Sequence, residues 1–162
     1  MTKNAIRATI AAVLTFVGSS AALASESATP GDAQKPLYDR LGGLLGITQV
    51  TDDFIDRLVT NKTLNANPAI DAGRKRSPAS YLKFHVSTLL CQVTGGPCKY
   101  TGREMKASHV HLNISEKEWG VMVAEFKKSL ARFKVPAKEQ QELFDIVGKT
   151  KGDIVMPATA AK

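Results

Sequence analysis

The sequence is short of the residues on which most catalytic and nucleic-acid-binding sites depend. Only three histidines and two cysteines occur among 162 residues, and aromatic residues make up 6%. The sequence contains no glycine-rich phosphate loop, no nucleophile elbow and no carboxylate–histidine motif of a hydrolytic metal centre. It therefore gives no support to a phosphate-binding enzyme, a serine hydrolase or a hydrolytic metalloenzyme.

The excess of positive charge is also too small to indicate a nucleic-acid-binding surface. The 22 basic and 15 acidic residues give a net charge of +7, and both signs are interspersed along the same segments. Neither a basic arm nor a platform of stacked aromatic residues accompanies this mild excess. We therefore expect no nucleic acid among the partners of the chain.

The N-terminal apolar run is too short to span a membrane. Residues 8–17 are apolar and follow two basic residues, but a span requires ~20 residues. Ala22 and Ala24 supply the small side chains of a signal-peptide cleavage site. We predict that residues 1–24 are a signal peptide, so the mature protein is periplasmic or secreted and has no stable membrane anchor.

The remaining sequence is expected to contain one domain with a polar segment at each end. Residues 25–35 are mostly polar and include proline and glycine, which is typical of a flexible tail. Residues 36–155 are long enough for one modest helical core. We assign residues 156–162 to a C-terminal tail.

Apolar residues recur at helical spacing through this domain, and no alternating strand pattern occurs. We therefore predict an all-α bundle. The first predicted helix is short and stops at Gly42 and Gly43, and three more lie at about residues 44–60, 78–93 and 104–110. A long helix begins at the capping box of Ser115 and Glu118. A last helix carries Leu143, Phe144, Ile146 and Val147. Residues 61–80, which contain two prolines, are predicted to be a connector with at most a short helix.

The same spacing predicts which side chains form the core. The stripes are Leu82, Val86, Leu89 and Val93 on the 78–93 helix, and Trp119, Met122, Val123, Phe126, Leu130 and Phe133 on the long helix. Asp53 and its charged neighbours are expected mostly on the side of the 44–60 helix that is opposite its apolar residues.

The two cysteines lie at the end of one predicted helix and in the loop after it. Outside the cytoplasm such a pair is oxidised more often than free, so we predict a Cys91–Cys98 disulfide. On the chain-entropy model this short loop contributes at most about 2–3 kcal/mol. The alternative is a structural zinc set of Cys91, Cys98, His109 and His111, which their irregular spacing disfavours.

The histidines alone do not identify a site. A histidine beside an apolar face, as His109 is, is more often a structural residue than a ligand. His111 lies ~200° further round a helix, so the two imidazoles do not easily face one ion. From the residues alone, His109 remains either a structural residue or a metal ligand.

Several motifs taken together resemble the first group of truncated haemoglobins. They lie at residues 37–43 (LYDRLGG), 53–54, 95–97 (GGP), 100–103 (YTGR), 105–109, 112–114 and 135–155, in order through nearly the whole domain. The resemblance implies a two-over-two helical sandwich around non-covalent haem b, whose iron binds oxygen, nitric oxide or carbon monoxide. The sequence has no Cys-X-X-Cys-His, which excludes c-type haem attachment.

The resemblance also implies the residues of a haem site. His109 is the expected proximal ligand of the iron. The expected haem contacts are Met105, Leu112, Phe84, Val86, Trp119 and Met122. Tyr100, Arg103 and Lys83 are expected at the pocket rim near the propionates.

The chain departs from the family pattern on the side of the haem opposite His109. Ile55 stands where the family commonly has a tyrosine, and Val86 where it often has a glutamine. Oxygen bound to iron carries negative charge that needs a hydrogen-bond donor, so stable oxygen storage is not expected.

His85 is the one strong base predicted near this gap. In some cyanobacterial members a histidine at the matching place binds the iron directly. His85 is therefore a candidate second ligand, with a donor role and no haem role as the alternatives. Direct ligation favours electron exchange with a redox partner protein over storage. A helical binding module that kept the fold but lost haem is the remaining alternative function.

Overall fold

The computed structural model describes residues 35–157, which form a helical domain. Its helices are α1 (Leu37–Arg40), α2 (Gly43–Thr60), α3 (Lys62–Asn65), α4 (Pro68–Arg76), α5 (Ala79–Val93), α6 (Met105–His109), α7 (Glu116–Arg132), α8 (Ala137–Gly148) and α9 (Lys151–Ile154). A short 3-10 helix, Val110–Leu112, follows α6. The predicted all-α fold is confirmed, whereas the predicted signal peptide lies outside the described residues. Across residues 35–157, none of the helices combines the length and apolarity needed to span a bilayer.

A glycine-rich corner turns the chain sharply from α1 into α2. Gly42 and Gly43 both adopt left-handed backbone angles, with φ of 82° and 67°. A Cβ atom on Gly46 would lie 1.9 Å from the carbonyl oxygen of Leu41, so only glycine permits this close approach. The corner allows α1 to pack back against the first turns of α2.

The core lies between α2, α5, α7 and α8. Phe126 of α7 is at its centre, with its ring centroid 5.0 Å from that of Phe54 on α2 and 5.7 Å from that of Phe144 on α8. Edge-to-face and tilted ring pairs of this kind contribute about 0.5–1.5 kcal/mol beyond their buried area.

The capping box of Ser115 and Glu118 at the start of α7 is present as predicted.

The predicted stripes are only partly right. On α7, Trp119 and Leu130 are buried, but Phe133 follows the end of the helix and is 37% exposed. On α5 the buried residues are Ser87, Leu90 and Cys91. Leu82 and Val86 are only half-buried at the edge of the core, and Val93 is exposed. The small side chains of Ser87 and Cys91 allow α5 to lie close to its neighbours, which shifts its buried face away from the predicted stripe.

The prediction of a connector at residues 61–80 is wrong, because this segment forms α3 and α4. Asn61 and Asn67 cap the two helices, each accepting hydrogen bonds from two backbone amides of the first turn. Pro68 follows its cap in the first turn of α4, where a missing amide hydrogen costs nothing. The prolines and asparagines of this segment therefore begin helices rather than prevent them.

Asp53 joins α2 to α7, against the expectation that it lies on the side of α2 opposite the apolar residues. Its carboxylate accepts hydrogen bonds from Arg57 at 2.6 Å, Ser129 at 2.7 Å and Arg132 at 2.6 Å. Burial alone would raise the pKa of Asp53, but the bonds from Arg57 and Ser129 outweigh that effect and lower the pKa below its usual range. Asp53 is therefore an ionised carboxylate within the contact between two core helices.

Candidate functional site

His109 is the last residue of α6, and its ring is held in one tautomer. Its Nδ1 lies 2.8 Å from the carbonyl oxygen of Met105. A carbonyl oxygen only accepts, so Nδ1 carries the proton and Nε2 keeps its lone pair. Burial lowers the pKa of His109, although the bond to Met105 opposes part of that effect. The imidazole is therefore neutral at neutral pH, with the lone pair of Nε2 available.

His85 lies on α5 within a group of aromatic rings. The centroid of its ring is 4.2 Å from that of Tyr81, 5.2 Å from that of Phe84 and 6.0 Å from that of Tyr100. Its Nδ1 is buried and has no hydrogen-bond partner among the described residues. A buried polar atom left unpaired costs about 1–3 kcal/mol, so this ring is suited to a ligand that the protein itself does not supply.

A chain of contacts connects the His85 region with α6. Tyr100 touches His85, and its hydroxyl donates to the carbonyl oxygen of Arg103 at 2.8 Å. The guanidinium of Arg103 in turn donates to the carbonyl oxygen of Ala107 in α6 at 2.9 Å. These contacts therefore link His85 to the helix that carries His109, the other predicted iron ligand.

The other residues predicted to contact haem differ in how deeply their side chains are buried, and their roles remain predictions. Trp119 is buried, Val86 and Met122 pack against the edge of the core, and Met105 is half-buried. Phe84 is 60% exposed.

Lys83, predicted at the pocket rim, is paired with α2. Its ammonium lies 2.9 Å from carboxylate oxygens of both Asp52 and Asp56. Its charge is therefore matched by α2, and its place at the rim stays a prediction, as do those of Tyr100 and Arg103.

Two residues that hold this region together were not predicted from the sequence. Asn67, the cap of α4, also donates to the carbonyl oxygens of Leu112 and Asn113 at 3.1 and 3.3 Å, just after the His109 helix. Leu112 fits against Gly73 of α4, where a Cβ atom would lie only 2.7 Å from its Cδ2. Tyr81 is the second, and its spacing of four residues from His85 was the signal available in the sequence.

The predicted disulfide is present. The sulfurs of Cys91 and Cys98 are 2.00 Å apart, and their Cα atoms are 5.7 Å apart. The bond removes two of the four ligands of the alternative zinc set. Among residues 35–157 there is also no group of three or more side chains placed to hold a metal ion. The cysteines are therefore bonded to each other and not available as zinc ligands.

Comparisons with known proteins agree with this arrangement. A family model described as bacterial-like globin matches residues 36–156. The group 1 truncated haemoglobin of Nostoc sp. (strain MUN 8820) is 29% identical over 120 residues, which are 74% of this chain and 96% of that protein.

Two solved structures share the fold at low sequence identity. The truncated haemoglobin of Tetrahymena pyriformis in its Fe(III) form is 17% identical, with a TM-score of 0.64 over 76% of this chain and 100% of that one. The 2/2 haemoglobin from Synechococcus sp. PCC 7002, in the cyanomet state and with covalently attached haem, is 19% identical, with a TM-score of 0.62 over 75% and 98%. These matches confirm the predicted two-over-two sandwich.

Proposed function

The chain belongs to the bacterial-like globin family, and from that premise we propose that it is an exported, redox-active haem protein whose iron is held by His109. Members of this family bind haem, usually haem b without a covalent bond, and bind diatomic gases such as oxygen at the iron. Our proposal adds the compartment, the ligating residues and the redox role.

The observation that carries the proposal is the hydrogen bond from His109 to Met105. It fixes the proton on Nδ1 and leaves Nε2 free, which is the arrangement usual for metal-binding histidines. The unpaired Nδ1 of His85 and the aromatic rings around it also suit a flat, largely apolar cofactor. The residues present therefore fit a haem, which when bound supplies an iron that takes up a diatomic ligand or exchanges an electron.

The pattern of hydrogen-bond donors supports a redox role more than oxygen storage. Ile55 is buried and Val86 half-buried, and neither side chain can donate a hydrogen bond. His85, the neighbour of Val86 on α5, has a ring nitrogen that can donate one. We infer that His85 would hold the iron as a second ligand and would compete with any external ligand.

Replacement of His85 by leucine tests this inference. The ferric wild-type protein is expected to be at least partly low-spin, and His85→Leu should be high-spin. The affinity for an external ligand should rise in the variant by the inverse of the fraction of open sites in the wild type. The measurements are ferric absorption spectra and ligand titrations, with His111→Leu as a matched control. A high-spin wild type indistinguishable from His85→Leu would rule out ligation.

Export is the part of the proposal that rests on residues outside the described range. The apolar run at residues 8–17 and the small residues Ala22 and Ala24 support cleavage after Ala24. Protein expressed with its complete N-terminus in a bacterial host should therefore be recovered from the periplasm with Ser25 as its first residue. Mass spectrometry of the intact protein decides this, and a chain that retains Met1 in the membrane fraction would contradict it.

A further inference from the structure

The segment between α5 and α6 is fastened around Tyr100 at three points. The Cys91–Cys98 bond ties the segment to the end of α5 two residues before Tyr100. The backbone amide of Tyr100 donates to the side-chain oxygen of Gln92, the neighbour of Cys91, at 2.7 Å. Its hydroxyl donates to the carbonyl oxygen of Arg103. Tyr100 is therefore held at its backbone and at the far end of its ring.

Two glycines show that this arrangement is tightly fitted. A Cβ atom on Gly102 would lie 2.3 Å from the hydroxyl oxygen of Tyr100, so the ring lies directly across this residue. A Cβ atom on Gly96 would lie 2.7 Å from the sulfur of Cys91, so the disulfide packs on the backbone of the same segment. Larger residues at either position would displace the ring or the disulfide.

Unlike the other two rings beside His85, the ring of Tyr100 belongs to a segment outside α5. Tyr81 and Phe84 are on α5 itself, so their positions relative to His85 are set by the helix. Tyr100 reaches His85 from a separate segment and meets it edge-on. Because Nδ1 of His85 has no hydrogen-bond partner among the described residues, ring contacts are what restrain this side chain.

We propose that Tyr100 is a positioning residue for His85 and that the Cys91–Cys98 disulfide controls it. With the bond intact, Tyr100 holds the imidazole in the orientation for ligation; without it, the segment loosens and the imidazole is released. The proposal rests on the ligand role of His85 given above. It makes the ligation state of the site sensitive to thiol reductants.

The switching reaction is ordinary thiol–disulfide exchange with an external dithiol. Cys91 is completely buried and Cys98 is half-buried, so the attacking thiolate reaches the sulfur of Cys98. The S–S bond breaks and Cys91 leaves as a thiolate that takes up a proton. The second thiol of the reductant then releases Cys98, and the reductant ends as a disulfide, having supplied two electrons and two protons.

A double-mutant cycle tests the coupling in the haem-loaded mature chain. The measured quantity is the ratio of low-spin to high-spin ferric protein. Cys91→Ala/Cys98→Ala and Tyr100→Ala are each expected to lower the ratio about three- to tenfold, the range of an aromatic contact. Combined, they should lower it no further than either change alone. Tyr100→Phe keeps the ring but loses the bond to Arg103, so its ratio should lie between those of wild type and Tyr100→Ala.

Tyr81→Ala is the matched control for this cycle. It removes a ring that also touches His85 but belongs to α5, so the cysteine replacements should still lower the ratio in its background. Equal loss of the cysteine effect in the Tyr81→Ala and Tyr100→Ala backgrounds would overturn the proposal. So would additive effects of the cysteine and Tyr100 changes.

A second measurement does not depend on haem. In the haem-free mature chain, the ring-proton NMR signals of His85 should be displaced by the ring of Tyr100, and Cys91→Ala/Cys98→Ala should shift them in the same direction as Tyr100→Ala. Unchanged His85 signals in the cysteine variant would overturn the coupling even if the protein binds haem. A chain that takes up no haem but shows the coupled shifts would refute the proposed function while leaving the role of Tyr100 standing.

Discussion

His109→Ala is expected to abolish stable haem binding. The imidazole supplies the proposed bond to the iron, and the carbonyl of Met105 fixes its tautomer. Loss of an outer hydrogen-bond partner of a ligating histidine typically lowers metal affinity about 10- to 100-fold, so loss of the ligand itself should exceed this. The measurement is the rate at which haem transfers from the loaded protein to an excess of a competing haem-free globin.

His111→Ala is the control for this prediction. His111 is exposed and lies in the short 3-10 helix, two residues after His109. Beyond the effect of burial, its charge contributes to the lowered pKa of His109. Its replacement should leave the transfer rate within about twofold of wild type, since exposed substitutions usually change free energies by no more than about 0.5 kcal/mol. Equal haem loss from the two variants would remove His109 from the site.

Asp53→Ala is expected to destabilise the folded domain by about 1–3 kcal/mol, the cost of leaving partly buried hydrogen-bonding groups unpaired, because Arg57 and Arg132 remain in reach of water. The substitution removes the shorter contacts of Arg57 and of the Ser129 hydroxyl at the junction of α2 with α7, and leaves each only its longer contact with Glu125. Asp52→Ala is the control, because the Asp52 side chain is 61% exposed and its pair with Lys83 should contribute at most about 1 kcal/mol. Chemical denaturation measures both free energies of unfolding, and equal costs would contradict the account.

The effect of Asp53 should also depend on pH. Its pKa is lowered in the folded state, so its contribution is fully present above the pKa of the unfolded chain, about 4. The contribution is lost as pH falls through the lower pKa of the folded state. The difference in stability between wild type and Asp53→Asn should therefore shrink in acid. A difference that stays constant from neutral pH to pH 2 would show that the ionised form is not what stabilises the contact.

The long helices and the short helices α1 and α6 could be predicted from the sequence, whereas α3 and α4 could not. The start of α7 followed from Ser115 and Glu118, because a capping box is a local signal. Helix α4 was missed because the prolines and asparagines that mark loops also mark helix starts, as Asn67 and Pro68 do here.

The sequence could indicate single site residues but not the contacts that connect them. His109 and His85 were predicted from motifs, and Cys91 and Cys98 from their number and the predicted compartment. The bond of Asn67 to Leu112 spans 45 positions, and that of Asp53 to Ser129 spans 76. Such contacts depend on how whole helices pack, which no local pattern records.

Titration of the haem-free mature chain with hemin tests the central claim most directly. The account predicts a Soret band that grows with added hemin and saturates at one haem per chain. Carbon monoxide should then shift the spectrum of the ferrous protein, as expected of an iron that binds diatomic ligands. A chain that stays colourless, or takes up hemin without saturation, would contradict the claim and favour a helical module that kept the fold without its cofactor.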